Sequence, residues 1–302
     1  MGALDPSIIQ MKGKTIGNTK MKVDIYGDAL GSTPLPGDRW RTAHDAFALQ
    51  VYLDGEKLGL FIRREVYGIF LRFMSEAGQN SYNNLSEFEK RSLTIVPDLT
   101  TEHTAEGSPI QAPGVQMWEL KRLHAVNATS TLSGESTGTN PQTRPIQNAP
   151  NRRAAQIPRE YESKARKTDE RNGHRGTTPV LNALKQMPQV KGLAIGAFGE
   201  FSDSINQLIK GMAYEGAINN AAKFEQTNQE SAHSVITWWL KRRWNRLALI
   251  TAVQTRYDAM RYVGGRAQYQ AAHTHERQQR EDDFQYAQFR EHRDQEAGHD
   301  HW

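Results

Sequence analysis

Two stretches decide the fold: Thr94-Ile95-Val96-Pro97-Asp98 and Val115-Gln116-Met117-Trp118-Glu119-Leu120-Lys121. Each is a short apolar run that ends in charge. Ile95 and Val96, and then Val115, Met117 and Trp118, suit a buried strand bounded by turn formers. Residues two apart on a strand lie on one face. Glu119 and Lys121 therefore point the same way from the end of one strand. If a strand ending in Pro97-Asp98 pairs beside it, three charged groups converge at one sheet edge.

That trio has a chemical use. Two carboxylates and a main-chain carbonyl can hold Mg²⁺, which keeps several waters and takes one or two protein carboxylates. A bound metal polarises a phosphoryl oxygen and lowers the pKa of its water, and a lysine beside it can position that water. The same residues also read as a turn followed by a solvated strand end. The pattern resembles the PD-(D/E)xK, or restriction-endonuclease-like, nuclease superfamily. Pro97-Asp98 is the first half and Glu119-Leu120-Lys121 the second, with the two carboxylates 21 positions apart. The resemblance implies catalytic roles for Asp98, Glu119 and Lys121. It also implies a Mg²⁺ (or Mn²⁺) site built from Asp98, Glu119 and the Leu120 carbonyl.

Composition sets outer bounds. The chain has 302 residues, enough for one large or two small domains, and carries a net charge of +4. No eighteen-residue apolar run exists, so no membrane span is expected. The N-terminus lacks a basic start followed by an apolar stretch, so no secretory signal is expected. Cysteine is absent, which excludes disulfides and thiolate metal sites. Gly13-Lys14-Thr15 is the only Gly-Lys-Thr, and Ile8 stands where a phosphate loop needs its first glycine.

Around the two stretches the expected order is helix, strand, Pro-Asp strand, Glu-x-Lys strand. Thr42 caps a helix over 43–53, ended by Asp54-Gly55, and His44 at its start reads as structural. A strand follows from Leu58 to Phe70. Residues 75–91 form a polar connection with a short helix at Ser86–Lys90. Thr100 to Pro113 is a turn-rich loop. Residues 127–150, rich in Ser, Thr, Gly, Asn and Pro, form a flexible insert. A helix then carries Ala154, Ile157, Tyr161 and Ala165 on one apolar face, with Pro158 kinking it or beginning its main part. Between 151 and 175 there are eight basic and four acidic residues. Such a helix face suits a phosphate backbone, though a solvated face is the common alternative. Pro179–Met187 is a short helix, Lys191–Phe198 the fourth strand, and Ser202 caps a helix over 203–223.

Ser231 caps a long helix over 232–262, whose buried stripe is Val235, Trp239, Leu247, Ile250, Val253, Tyr257 and Met260; Gly264-Gly265 end it. Within it Trp238, Trp239 and Trp244 interleave with Lys241, Arg242, Arg243 and Arg246 and no acid. That points to nucleic-acid stacking and phosphate contact, or to a tryptophan core with a basic back. Residues 266–302 hold five of the ten histidines and more acids than bases, and read as a solvated tail that is disordered.

Further residues resemble, within that superfamily, the endonuclease region of eukaryotic retroelements. The carrying segments are the Arg152-Arg153-Ala154, Tyr161, Lys164-Ala165-Arg166 and Asp169 pattern, the histidine His124 after Glu-x-Lys, and Gly196-Ala197-Phe198-Gly199-Glu200. Residues 21–38 are similar to the short zinc knuckle of those relatives. Its cysteines are missing and Ala29 replaces its histidine, so no zinc is expected there. The resemblance adds Glu65 as a further metal-site acid and Gln156 as a further catalytic residue. The DNA-binding candidates are His124, Arg152, Arg153, Arg159 and Lys164 from this resemblance, and Lys241, Arg242 and Arg243 from the aromatic and basic pattern of the long helix.

The combined expectation is an α/β protein with a restriction-endonuclease-like core. That core has a mixed four-stranded sheet flanked by helices, followed by a C-terminal helical extension. Residues 1–41 would be a linker with a degenerate knuckle, 42–200 the nuclease core, 201–265 the helical extension and 266–302 the tail. The implied activity is metal-dependent hydrolysis of DNA phosphodiester bonds by an intracellular, nuclear enzyme of mobile-element origin. DNA is the expected partner, with RNA a further candidate, no membrane and an undetermined oligomeric state. An inactive nucleic-acid-binding module and a helical protein-interaction domain are the alternatives.

Overall fold

A computed structural model describes residues 6–17, 19–23, 30, 39–86, 95–123, 144–174, 176–196, 199–220 and 228–264. The chain divides into two units, Met1–Thr42 with Ala252–Trp302, and Ala43–Thr251.

The first unit opens with helix α1 (Pro6–Met11). Thr15 bridges Lys22, and Ile16 forms an antiparallel bridge with Val263. Ile16, Val23, Leu30, Ala259 and Val263 are buried together, with Ile8, Met11 and Met260 packed on them. The sequence reads residues 1–41 as a linker with a degenerate knuckle. The buried Ile16 and its bridge show a small packed cluster there instead. The knuckle-like Gly27-Asp28-Ala29 and Gly31 to Asp38 lie outside the described residues, as do His124 and residues 265–302.

Helix α2 (Arg39–Lys57), most of which lies in the second unit, starts before Thr42 and runs past the expected stop at Asp54-Gly55. Gly55 serves packing: a Cβ there would stand 3.0 Å from Ile62 Cγ2. The helix stops at Gly59, whose φ of 82° is the left-handed conformation glycine adopts freely. Strand β1 (Phe61–Arg64) is far shorter than the expected 58–70. Glu65 at φ 45° and Gly68 at φ 69° turn the chain out of extension. A 3₁₀ turn at Leu71–Phe73 precedes helix α3 (Glu76–Asn83), capped by Ser75, whose hydroxyl accepts from Gly78 N. This helix lies earlier than the one expected at 86–90, of which residues 87–90 are outside the described set.

Strand β2 (Leu99–Glu102) starts only after Pro97-Asp98 and occupies the stretch expected as loop. Pro97 has no N–H to give a ladder, which fits a strand beginning beyond it. Strand β3 (Gln116–Arg122) is as expected. Helix α4 (Arg144–Arg171) takes in the last residues of the expected insert and continues through Pro150 and Pro158. Asn151 ties it to a later helix start, accepting from Asp203 N at 2.7 Å and donating to Asp203 Oδ2 at 2.9 Å. Helix α5 (Pro179–Gln186) has no side-chain cap from Thr178. Buried Asp169 at the end of α4 caps it instead, accepting from Val180 N and Leu181 N at 3.0 and 3.1 Å.

Strand β4 (Lys191–Ile195), helix α6 (Asp203–Asn220) and helix α7 (Gln229–Met260) follow, with α7 belonging to this unit as far as Thr251. Asn228, not Ser231, caps α7: its Oδ1 accepts from Ser231 N at 2.7 Å. The buried stripe of α7 is Ala232, Ile236, Leu240, Trp244 and Ala248. That is one position on from the expected stripe, and Val235, Ile250, Val253 and Tyr257 are exposed. Among the described residues no helix is long and apolar enough to cross a membrane.

The sheet is mixed and four-stranded in the order β1-β2-β3-β4. The first two pairings are antiparallel and β3 runs parallel to β4. Trp118 and Leu120 face a core shared with Phe47 and Val51 of α2, Leu208 and Met212 of α6, and Trp244 of α7. Met117 faces the other way, into a core with Ile157 and Tyr161 of α4 and Val180 of α5. Helices thus flank both faces. The tightest junction is at Gly192, where a Cβ would stand 2.6 Å from both Cα and O of Ala154.

Gly192→Ala should therefore lower stability by about 1–3 kcal/mol, because backbone on α4 cannot yield as a flexible side chain can. A denaturant titration followed by circular dichroism checks this. An unchanged midpoint would show that α4 has room to move.

Candidate functional site

The site grows from the place where β2 and β3 part. Leu99 pairs with Trp118 in the ladder. One position further, Asp98 leaves it, while its carbonyl still accepts from Glu65 N at 3.0 Å. The Asp98 carboxylate takes over where the ladder stops: Oδ2 accepts from Leu120 N at 2.6 Å. The Pro-Asp and Glu-x-Lys residues are thus brought together, as the spacing predicts.

Helix α2 adds a residue the sequence reading assigned to structure alone. His44 Nε2 lies 3.2 Å from Asp98 Oδ2 and 3.2 Å from the Leu120 carbonyl, and Nδ1 lies 3.0 Å from Asp45 Oδ1. Burial opposes charge on this imidazole. The hydrogen bonds and negative fields of Asp45 and Asp98 outweigh it and push its pKa up to about 10. At neutral pH both ring nitrogens carry protons and donate.

Glu119, on the face of β3 opposite the Leu120 side chain, is buried. Its Oε1 is 2.5 Å from Lys121 Nζ and 3.9 Å from Lys164 Nζ. Its Oε2 accepts from Tyr161 Oη at 2.6 Å. Burial and the neighbouring Glu119 charge hold the Tyr161 hydroxyl well above the usual phenol range, so it remains a donor. The Lys164 ammonium lies 4.9 Å over the Tyr161 ring. Tyr161 also belongs to the core.

The other expected residues divide. Glu65 stands beside the Asp98 backbone, and its carboxylate accepts from Tyr67 Oη at 3.3 Å. Gln156 is exposed on α4, and its Oε1 is 3.4 Å from Arg153 Nη1. Arg153 grips Glu160 in two bonds of 2.5 and 3.1 Å. Partial burial works against charge on Glu160, but that guanidinium holds its carboxyl below the ordinary range. Arg152 and Arg159 are exposed on the same helix. Arg243 is not free for a ligand: its Nε is 3.4 Å from buried Asp54, which also accepts from Trp244 Nε1 at 2.9 Å. Burial raises the Asp54 pKa.

Asp98, Glu119 and the Leu120 carbonyl are the oxygens the sequence offers as donors to a divalent cation; His44 Nε2 contacts two of them, the Asp98 carboxylate and the Leu120 carbonyl. Among the described residues no group of three or more His, Cys, Asp and Glu side chains could hold a metal ion. The expected set contains two such side chains and completes itself from the main chain. Lys121 on Glu119 and His44 on Asp98 and Leu120 balance those oxygens with the chain's own cations.

His44 makes the alkaline range informative. Its folded pKa lies above the ordinary histidine value, so its ion pairs stabilise fully below about pH 6.5 and are lost as pH rises through 10. Thermal unfolding in EDTA from pH 6.5 to 10 should show a steeper loss for the wild type than for His44→Gln. Parallel curves would mean that His44 carries no extra proton. Comparisons with protein-family models, curated proteins and solved structures return no match for this chain.

Proposed function

We propose that this chain is a metal-dependent endonuclease that hydrolyses DNA phosphodiester bonds, with the mixed sheet serving as a restriction-endonuclease-like core. One observation carries the reading. The Asp98 carboxylate accepts from Leu120 N, the residue between Glu119 and Lys121, at the point where β2 and β3 separate. The residues of that contact and that pair are the ones that carry the resemblance in the sequence.

Asp98, Glu119 and the Leu120 carbonyl would hold Mg²⁺ or Mn²⁺. When bound, the ion supplies Lewis acidity at the phosphate and a more acidic water. Tyr161 keeps one oxygen of Glu119 fixed by donating to it. Lys121 reaches the other oxygen and is placed to orient the attacking water and offset charge building on the phosphate. His44 orients Asp98 through its Nε2 contact. Lys164, with its ammonium near Glu119 on an exposed helix edge, suits a flanking phosphate. The raised pKa of Tyr161 argues against it as the general base.

A second reading has its own observation. Each donor of the set already faces a cation of the chain, Lys121 or His44. A nucleic-acid-binding module without cleavage would keep those pairs intact.

A plasmid-nicking assay separates the two. The wild type should relax supercoiled plasmid with Mg²⁺ or Mn²⁺, and Asp98→Ala or Lys121→Ala should slow this by on the order of 100-fold or more. Salt-sensitive binding without nicking in any metal would support the module and sink the enzyme. Tyr161→Phe removes one hydrogen bond from Glu119. It should slow nicking by roughly tenfold while costing about 1 kcal/mol of stability. Full activity in that variant would show that Glu119 needs no positioning.

A further inference from the structure

We propose that the face of α7 around Trp238 binds an unpaired nucleic-acid strand by base stacking and phosphate contact. This site is separate from the carboxylates and stands whether or not they cleave. α7 buries one stripe, Ala232 through Ala248, in the core. Trp238 lies off that stripe and is 59% exposed, the most exposed of the large apolar side chains among the described residues. An exposed indole leaves a large apolar surface in water, a cost that stacking against a base removes.

Its surroundings select the partner's charge. Arg242 lies one turn on, with its guanidinium 5.2 Å from the Trp238 ring. Trp239 is flanked by Arg243 at 5.2 Å and Lys57 at 5.6 Å. From Ser231 to Thr251 the chain has four Lys or Arg residues and no acid. The nearby Asp54 is buried and bound to Arg243. Arg242 and Arg246, both exposed, pair with no carboxylate among the described residues. A cationic surface with one open aromatic face fits a polyanion whose bases are accessible. A regular duplex hides those base faces within its stack, so the complementary form is the unpaired strand.

The surface also has a defined relation to the motif strand. Arg122, the residue after Lys121, donates from Nη2 to the Ala248 carbonyl at 3.3 Å. Trp238 is ten residues earlier on the same helix, roughly 15 Å along its axis. A strand stacked on Trp238 is thereby held by the helix on which β3 ends.

The test uses the full chain in EDTA, where metal-dependent cleavage is off and binding is read alone. Anisotropy of a labelled oligothymidylate is compared with that of a duplex of equal length. The oligothymidylate should bind more tightly, and Trp238→Ala should weaken it by roughly tenfold, with Trp238→Phe restoring most of the loss. Arg242→Gln with Arg246→Gln should reduce the salt dependence by about 1.4 in log-log slope. Equal affinity in wild type and Trp238→Ala, or a preference for duplex, would overturn the proposal. So would loss of self-association in sedimentation by Trp238→Ala with oligothymidylate binding intact, which would assign the face to a second copy. A failed nicking assay has no bearing on these readings.

Discussion

The close approach of α4 to β4 at Gly192 is the constraint on which the candidate site depends. Gly192 pairs in register with Glu119. Any side chain at 192 would press on the Ala154 backbone. With only hydrogen there, Ile157 seats over the strand, and one turn later Tyr161 reaches Glu119. Moving the helix out would withdraw Tyr161 and Lys164 from the carboxylate together. The same helix ends on Asp169, which fixes the start of α5 with two backbone hydrogen bonds. One helix thus sets the second core, the orientation of Glu119 and the cap of its successor. Asn151, near its other end, also fixes the start of α6.

Electrostatics explain how so polar a site sits within a packed sheet. A buried carboxylate is costly without partners. Glu119 is satisfied by a lysine on its own strand and a tyrosine from α4. Asp98 is satisfied by a backbone N–H and by an imidazolium from α2. Those contacts come from both faces of the sheet, so the pairs depend on the two cores forming around β3. The arrangement also limits the acid–base roles available. Tyr161 stays protonated beside a negative charge, and His44 stays protonated between two. Lys121 is the cation that shares the face of Glu119 and sits nearest to it.

Much of this was legible in the sequence because it follows from local periodicity. The apolar face Ala154, Ile157, Tyr161 and Ala165 is buried as spaced. The alternation of β3 places Glu119 and Lys121 on one face and Leu120 on the other. What failed depended on contacts distant in the chain. His44 meets Asp98 across 54 positions, and nothing in its own neighbourhood separates it from a structural histidine. Asp54-Gly55 reads as a helix stop. Its glycine makes room for Ile62 and its aspartate is held by Trp244 and Arg243 from α7. The Pro97-Asp98 strand failed for a local reason, since proline cannot extend the ladder. That failure helps the site, because a carboxylate at the loosened end can bond where the backbone does not.

The stripe of α7 shows how composition misleads. Val235, Ile250, Val253 and Tyr257 are apolar and spaced for one face, yet the helix buries alanines with Ile236, Leu240 and Trp244. Small residues let a helix approach closely, and Ala232 and Ala248 do so at each end of the buried run. Trp244 enters the core because its indole N–H finds Asp54, the hydrogen bond a buried tryptophan needs. Trp238, off that stripe, has Arg242 over its ring and remains open to solvent. Two tryptophans six residues apart therefore serve opposite ends: one closes the core through a polar partner, and the other presents an exposed ring beside Arg242.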